Sequence, residues 1–441
     1  MSFSRYPRYK DSGVEWIGQV PEHWDVIAGR RLFQQKREPG LPSDEQLSAT
    51  QKYGVVPQKL FMEMQDQKVT LALSGIDNFK HVEAGDFVIS LRSFQGGIER
   101  SEYSGCVSPA YTVLRPTAAV EGGLWRYLLK SKGYIEALQS KTEGIRDGKN
   151  ISFEQFGEIR VPVIPPAEQI AIAEFLDRET GGIDELVAEQ RRLMELLKEK
   201  RQAVISNAVT RGLNTAAPLK PSGIEWLGDV PKHWSVQPLF LRYQAVLGKM
   251  VDEKHKTGEH PVSYLRNADV NWDRINISDL PTFDVTPEEE ERCLLRAGDL
   301  LICEGGAGVG QTSIWQGELE RCAFQKALHR LRPWSNNEMP RFLYYCMRYA
   351  VESGVVLAGG TATIPHLTGE QLRRYRFPCP PVEEQRQIVK FLDFEAQKYD
   401  ALMGEAQRAI DLLQERRTAL ISAAVTGQID VRQLNSKEIP A

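Results

Sequence analysis

The chain has 441 residues, 41% hydrophobic and 26% charged, with a formal net charge of −4 at pH 7. That length suits two cores rather than one, and with no apolar run near ~18 residues and no basic-then-apolar leader, it reads as a soluble cytoplasmic protein. The acidic balance argues against a protein that coats nucleic acid indiscriminately but leaves room for local basic faces. Six scattered cysteines without a C-x-x-C pair argue against a disulfide framework or a zinc site.

The first element in chain order is SGVEWIGQVPEHW at 12–24, and it returns as SGIEWLGDVPKHW at 222–234, with nine identities in thirteen positions. The offset of 210 residues is far beyond a solenoid period, so the repeated unit is of domain size and two copies fill the chain. The tryptophans Trp16, Trp24, Trp226 and Trp234 read as anchors, and His23 and His233 as packing and capping residues.

A segment of mixed texture follows each phrase, at 25–160 and 235–376. In these segments DFVISL (86–91) and DLLICE (299–304) each follow Ala-Gly, the pattern of a turn feeding a strand. SPAYTVLRP (108–116) and QKALHRLRP (325–333) read as strands ending in Leu-Arg-Pro. Helix-rich pieces come next, LWRYLLKSKGYIEALQS (124–140) and RFLYYCMRYAVES (341–353). The order of elements repeats while the residues between them differ, as a scaffold needs if its two heads read different things.

Each half then closes on a helical stretch, VPVIPPAEQIAIAEFLD from 161 and FPCPPVEEQRQIVKFLD from 377. These run on to AVISNAVTRG (203–212) and ALISAAVTGQ (419–428) at an offset of 216. The stretches lack proline after their opening pairs and are rich in strong helix formers. Pro165–Pro166 and Pro380–Pro381 stand at the starts, and Gly212 and Gly427 at the stops. Gly181 and Gly182 are expected to break or kink the first helix. A heptad seam is expected at Ile183, Leu186, Gln190, Leu193, Leu197, Lys200 and Val204, and at Tyr399, Leu402, Ala406, Ala409, Leu413, Arg416 and Leu420. A helix over 183–210 would be about 42 Å long at ~1.5 Å per residue. This approaches the half-site separation of about 34–36 Å used by two-headed DNA readers, so the helices read as a ruler.

Side chains that match base edges and phosphates collect in the expected loops. The first segment offers Lys52, Arg92, Ser93, Gln95, Arg100, Arg146, Lys149 and Asn150 as DNA-binding candidates. The second offers Arg266, Asn267, Glu304, Gln311, Lys326, His329, Thr361 and Thr363. No catalytic centre stands beside them. CEGGAGVGQTS (303–313) lacks the G-K-[ST] of a phosphate loop and reads as a strand-to-strand turn with positive φ angles. His255 and His260 do not make a metal site, and neither a G-x-S-x-G elbow nor an N-P-P-Y-like methyltransferase segment is present.

Together, the PPAEQIAIAEFLD and PPVEEQRQIVKFLD starts, the AVTRG and AVTGQ helix ends, and the EWIGQVPEHW and EWLGDVPKHW phrases resemble the DNA specificity subunits of type I restriction-modification systems. The resemblance covers essentially the whole chain. It implies an α+β fold in which two globular α/β target recognition domains are separated by a pair of long antiparallel, coiled-coil-like helices, with pseudo-twofold duplication. The expected divisions are a first recognition domain over 1–160, a spacer helix region over 161–214, a second recognition domain over 215–376, a second spacer region over 377–428 and a tail over 429–441.

The resemblance further implies a non-catalytic subunit that reads a bipartite, asymmetric double-stranded DNA site. It would direct two modification subunits, which methylate adenine using S-adenosylmethionine, and restriction or translocase subunits that use ATP and Mg²⁺; none of these cofactors is expected on this chain. Two other readings remain open on the residues alone. One is a two-domain adaptor that binds proteins through its helical rod without reading DNA. The other is a nucleotide-dependent enzyme using residues 303–313.

Overall fold

The computed structural model describes residues 3–65, 78–91, 93–141, 151–250, 258–356 and 366–432. Two compact units divide the chain. One joins the residues before 192 to those from 407 on, and the other is residues 192–406.

A four-stranded antiparallel sheet lies at the heart of the first unit. Its strands are β1 (Phe33–Lys36), β2 (Phe87–Ile89), β3 (Glu99–Arg100) and β4 (Thr112–Pro116), in the order β1-β4-β2-β3. Next in chain order comes the helix α1 (Pro166–Arg211), and the second unit repeats the sheet with β5 (Tyr243–Leu247), β6 (Leu300–Cys303), β7 (Thr312–Ile314) and β8 (Leu328–Pro333), in the order β5-β8-β6-β7.

The recurring sequence fragments explain why both sheets form. Gly85 and Gly298 take positive φ (98° and 92°), turning the chain into β2 and β6. The aspartates that follow are each held by the arginine of the Leu-Arg-Pro motif. Arg115 donates to Asp86 through Nε and Nη2, both at 3.0 Å, and Arg332 donates to Asp299 at 2.7 and 2.6 Å. Such two-pronged pairs fix direction as well as distance. Aromatic and aliphatic side chains pack on the sheets: Phe33 meets Phe87, Trp125 and Phe156 edge-on in the first unit. In the second, Pro340–Glu352 buries seven side chains, including Phe342, Tyr345 and Met347.

Helix α1 and its counterpart α2 (Val382–Val425) begin at the expected prolines and end just before glycines with φ +74°. The carbonyl of Pro165 accepts the N–H groups of Glu168 and Gln169, and that of Pro381 accepts those of Glu384 and Gln385. Gly181 and Gly182 do not interrupt α1; the helix runs through them for 46 residues, from the proline pair to the residue before Gly212 as expected. Neighbouring Leu, Glu and Arg residues supply enough helix propensity to carry two glycines.

Within the first unit the start of α1 lies against the end of α2. The Trp24 indole reaches Glu168, Gly427 packs on Pro21 and Trp24, and Arg417 donates to Asp184 at 2.9 and 3.2 Å. Within the second unit the end of α1 lies against the start of α2: Trp234 reaches Glu384, Gly212 packs on Trp234, and Arg201 donates to Asp400 at 2.7 Å. The helices are therefore antiparallel. The 216-residue shift turns Asp184 into Asp400 and Arg201 into Arg417, so one ion pair is made twice.

The buried face of the helices differs in phase from the expected seam. Ile183, Tyr399 and Leu420 are buried, and Leu197, Val204 and Leu413 are half-buried. Leu186, Leu193 and Leu402 are 47%, 44% and 39% exposed. Their places in the buried face are taken by Val187, Met194 and Met403, one residue further on. A four-then-three step from Ile183 fits these helices where a three-then-four step does not.

Gln385 makes the fold testable. It is fully buried; its Oε1 accepts from Met339 N at 3.0 Å, and its Nε2 donates to Pro380 O at 2.9 Å and Asn337 O at 3.2 Å. Replacing Gln385 by Ala strands three backbone groups and is expected to lower the stability of the second unit by about 2–4 kcal/mol in urea denaturation. Arg386→Ala, which removes only a surface pair with Glu383, should change it by less than about 0.5 kcal/mol.

Candidate nucleic-acid interface

Each sheet is bolted at one end by its Asp–Arg pair and opens at the other end onto a cavity. In the first unit the cavity, about 670 Å³, lies where β2 ends and the chain enters β4; Ser90, Leu91 and Tyr111 form its floor. The hairpin Leu47–Thr50 and Gly54–Pro57 forms its wall, with Gln51, Lys52 and Tyr53 at the tip. Lys52 holds its ammonium 4.8 Å from the Tyr53 ring centre, and Phe61 meets Tyr53 edge-on. An exposed cation beside two aromatic rings is a surface suited to phosphates and stacked bases.

In the second unit the cavity lies at the corresponding place, where β6 ends and the chain enters β8. It measures about 430 Å³ and is lined by Glu304, Gln325, Lys326, Ala327 and His366. The backbone of Glu304 is fixed on both sides: its N–H donates to Ala327 O at 2.9 Å and its carbonyl accepts from Leu367 N at 2.6 Å. His366 brings Nε2 within 3.3 Å of Glu304 Oε1. The position is shared by the two units, while the chemistry of the lining is not.

The other candidates divide by what they already hold. Ser93 is buried and its hydroxyl accepts from Ser90 N at 2.8 Å, which makes it a turn residue. Arg100 pairs with Glu102, and its Nε is buried without a hydrogen-bond partner. Arg266 is locked onto Asp269 at 2.9 and 2.8 Å, and Asn267 donates to Gly305 O at 3.0 Å. His329 is buried within β8, where its Nε2 donates to Leu367 O at 2.9 Å; burial pushes its pKa down. These residues support the site from behind. Gln95 and Lys326 are exposed, and Gln311 is half-buried after the glycine-rich turn. Arg92, Arg146, Lys149, Asn150, Thr361 and Thr363, like His255, lie outside the described residues.

Sequence reasoning missed His366, which reaches Glu304 through a backbone bridge between Gly305 and His366 that no local pattern announces. It also missed the aromatic pair Tyr53 and Phe61. Residues 303–313 form the expected turn between β6 and β7, with φ +75° at Gly306 and +77° at Gly310. Among the described residues no group of three His, Cys, Asp or Glu side chains is arranged to hold a metal ion, and no helix is long and apolar enough to cross a membrane.

Two like sheets with unlike cavities, each packed with segments of the same two long helices, define a duplicated scaffold. The family profile described as "Type I restriction modification DNA specificity domain" matches residues 251–402. The type I restriction enzyme EcoKI specificity subunit of Escherichia coli K12 is 23% identical over 329 residues, covering 72% of this chain and 68% of that protein. A structure of a type I restriction-modification system, described for its complex assembly and conformational transition, superposes with a TM-score of 0.71 at 17% identity, covering 92% of this chain and 98% of that one. The HsdS subunit from Thermoanaerobacter tengcongensis gives 0.55, also at 17%, covering 93% and 98%. Residues 251–402 thus match the type I restriction-modification DNA specificity domain, and over most of its length the chain is similar in sequence to the EcoKI specificity subunit and in fold to the HsdS subunit.

Glu99, beside the first cavity's hairpin, provides a pH handle. Its Oε2 accepts from Lys130 at 2.7 Å while its Oε1 is buried without a hydrogen-bond partner. Burial pushes its carboxyl up to about 6 from the ordinary 4.5, with Lys130 opposing. Protonation therefore favours the fold: the contribution is fully present below pH 4.5 and is lost as pH rises through about 6. The stability difference between wild type and E99Q in urea is expected to shift in favour of the variant by about 2 kcal/mol from pH 4.5 to 7. A difference that does not vary with pH would refute the assignment.

Proposed function

We propose that this chain is the DNA-recognition subunit of a type I restriction-modification complex, with each unit reading one half of a split, asymmetric duplex site. The observation that carries this reading is the repeated sheet with a cavity at the same end and a different lining. Identical linings would suit a palindrome, and unlike linings suit two different half-sites. The chain has no catalytic part to play; it is the member of the complex that chooses the sequence.

In this reading two modification subunits dock on the helices and heads, bringing S-adenosylmethionine to one adenine in each half-site. Restriction or translocase subunits add ATP- and Mg²⁺-dependent cleavage of unmethylated DNA, in the cytoplasm. Residues 1–160 and 215–376 serve as the readers, 161–214 and 377–428 as spacer and docking helices, and 429–441 as a tail. The exposed Lys52, Gln95 and Lys326 are assigned to DNA contact, and the buried or locally paired candidates to holding those contacts in place. An acidic chain is compatible with this division, since partner subunits supply much of the phosphate grip.

The test is footprinting of the chain assembled with its modification subunits on duplex DNA. Two short protected half-sites separated by an unread spacer are expected. Replacing Gln51, Lys52 and Tyr53 together by Ser should abolish discrimination in one half-site, by about tenfold or more per base pair, and leave the other intact. An affinity loss equal for all sequences would count against base reading. Failure of the wild-type complex to discriminate among sequences would return the chain to the adaptor reading.

A further inference from the structure

We propose that Glu304 is the specificity-determining residue of the second head and that it reads an exocyclic amino group, cytosine N4 or adenine N6, in the major groove. This rests on the DNA-recognition reading above and deepens it to the chemistry of one contact.

An ionised carboxylate only accepts hydrogen bonds. A carboxylate at a DNA surface gains nothing from phosphates, which carry its own sign, so its partner must be a donor. The donors that a base pair offers in the major groove are the amino groups of cytosine and adenine. Guanine presents only acceptors there, and thymine an acceptor and a methyl group, so a carboxylate disfavours both.

Glu304 is built for such a contact. Backbone hydrogen bonds at its N–H and its carbonyl fix it at the end of β6, and it lines the cavity with its side chain largely buried. Its Oε1 faces His366 at 3.3 Å on one side and His329 at 3.9 Å on the other. His329 Nε2 already donates to Leu367 O, so it serves as a wall and leaves the carboxylate unneutralised by a direct hydrogen bond. Among the described residues nothing hydrogen-bonds Oε2, which leaves one acceptor for a ligand. Lys326, exposed on the same rim, has the charge to hold a phosphate and set the register. At the corresponding end of the first sheet stands Leu91, which has no acceptor, so the two heads do not share this readout.

The experiment selects bound duplexes from a randomised half-site library, using the complete complex of this chain with its modification subunits. Wild type should require a base with an amino group at one position. Glu304→Ala should lose discrimination at that position alone, by about 10- to 100-fold, while Glu304→Gln, which both donates and accepts, should shift the preference there toward adenine.

A second arm leaves the protein unchanged. Duplexes in which the selected cytosine is replaced by 2-pyrimidinone, or the selected adenine by purine, lack only the amino group. They should bind wild type as weakly as E304A binds the normal site, and should cost E304A nothing further. The inference is overturned if E304A leaves the selected sequence unchanged, if it weakens all sequences equally, or if deleting the amino group has no effect on wild type. If wild type selects no sequence at all, it is the DNA-recognition reading that fails.

Discussion

The structure depends on two carboxylates in the first turn of the long helices, Glu168 buried and Glu384 half-buried. Glu168 accepts from the Trp24 indole at 3.1 Å and meets His23 Nε2 at 2.7 Å; Glu384 accepts from Trp234 at 3.0 Å and meets His233 at 2.8 Å. A carboxylate withdrawn from water is costly unless it is hydrogen-bonded; Glu168 is held at both oxygens, and Glu384 takes both of its contacts on Oε2. Each also sits at a helix N-terminus, where the backbone dipole favours negative charge. The next residue completes the joint: Gln169 accepts from Trp125 Nε1 and Glu121 N, as Gln385 accepts from Met339 N. A Glu-Gln pair behind two prolines thus ties helix, repeated Trp phrase and globular head together.

From that joint outward, each head is braced by an ion pair at one end of its sheet, and the two heads differ at the other end. The Asp86–Arg115 and Asp299–Arg332 pairs hold the central strands at the end where β2 and β6 begin. The opposite strand ends carry Leu91 or Glu304 and open onto the cavities. A reading surface must keep its backbone still while its side chains are free to change. Placing the ion pair and the variable residues at opposite ends of the same strands separates those requirements.

The parts of this arrangement that were legible in the sequence were those written twice. Proline pairs, helix-stopping glycines, Ala-Gly-Asp turns and Leu-Arg-Pro strand ends all appear where the repeat puts them. The phase of the helix contact was not legible, because Leu186, Leu193 and Leu196 lie on the exposed side of α1 and blur the apolar stripe. The candidate site was legible in outline only. Arginine, serine and histidine suit DNA contact and local bracing equally, and only geometry shows that Arg266 is taken by Asp269 and His329 by a backbone carbonyl. His366 stands 62 residues from Glu304 and meets it through strand-like pairing that residue type does not reveal.

The boundaries of the compact units do not coincide with those of the sequence repeat, and this affects how the protein is made. The second unit is a continuous run, residues 192–406, whereas the first is closed only by residues from 407 on. The Tyr9 hydroxyl, for example, donates to Gly427 O across 418 positions. On a ribosome, the head synthesised first must wait with its joint half-formed until the final helix emerges, while the head synthesised second has every residue of its own core already in hand. Closure of so distant a contact is entropically slow. In vectorial synthesis, all the residues of the later unit are therefore present before those that close the earlier one, from 407 on, have been made.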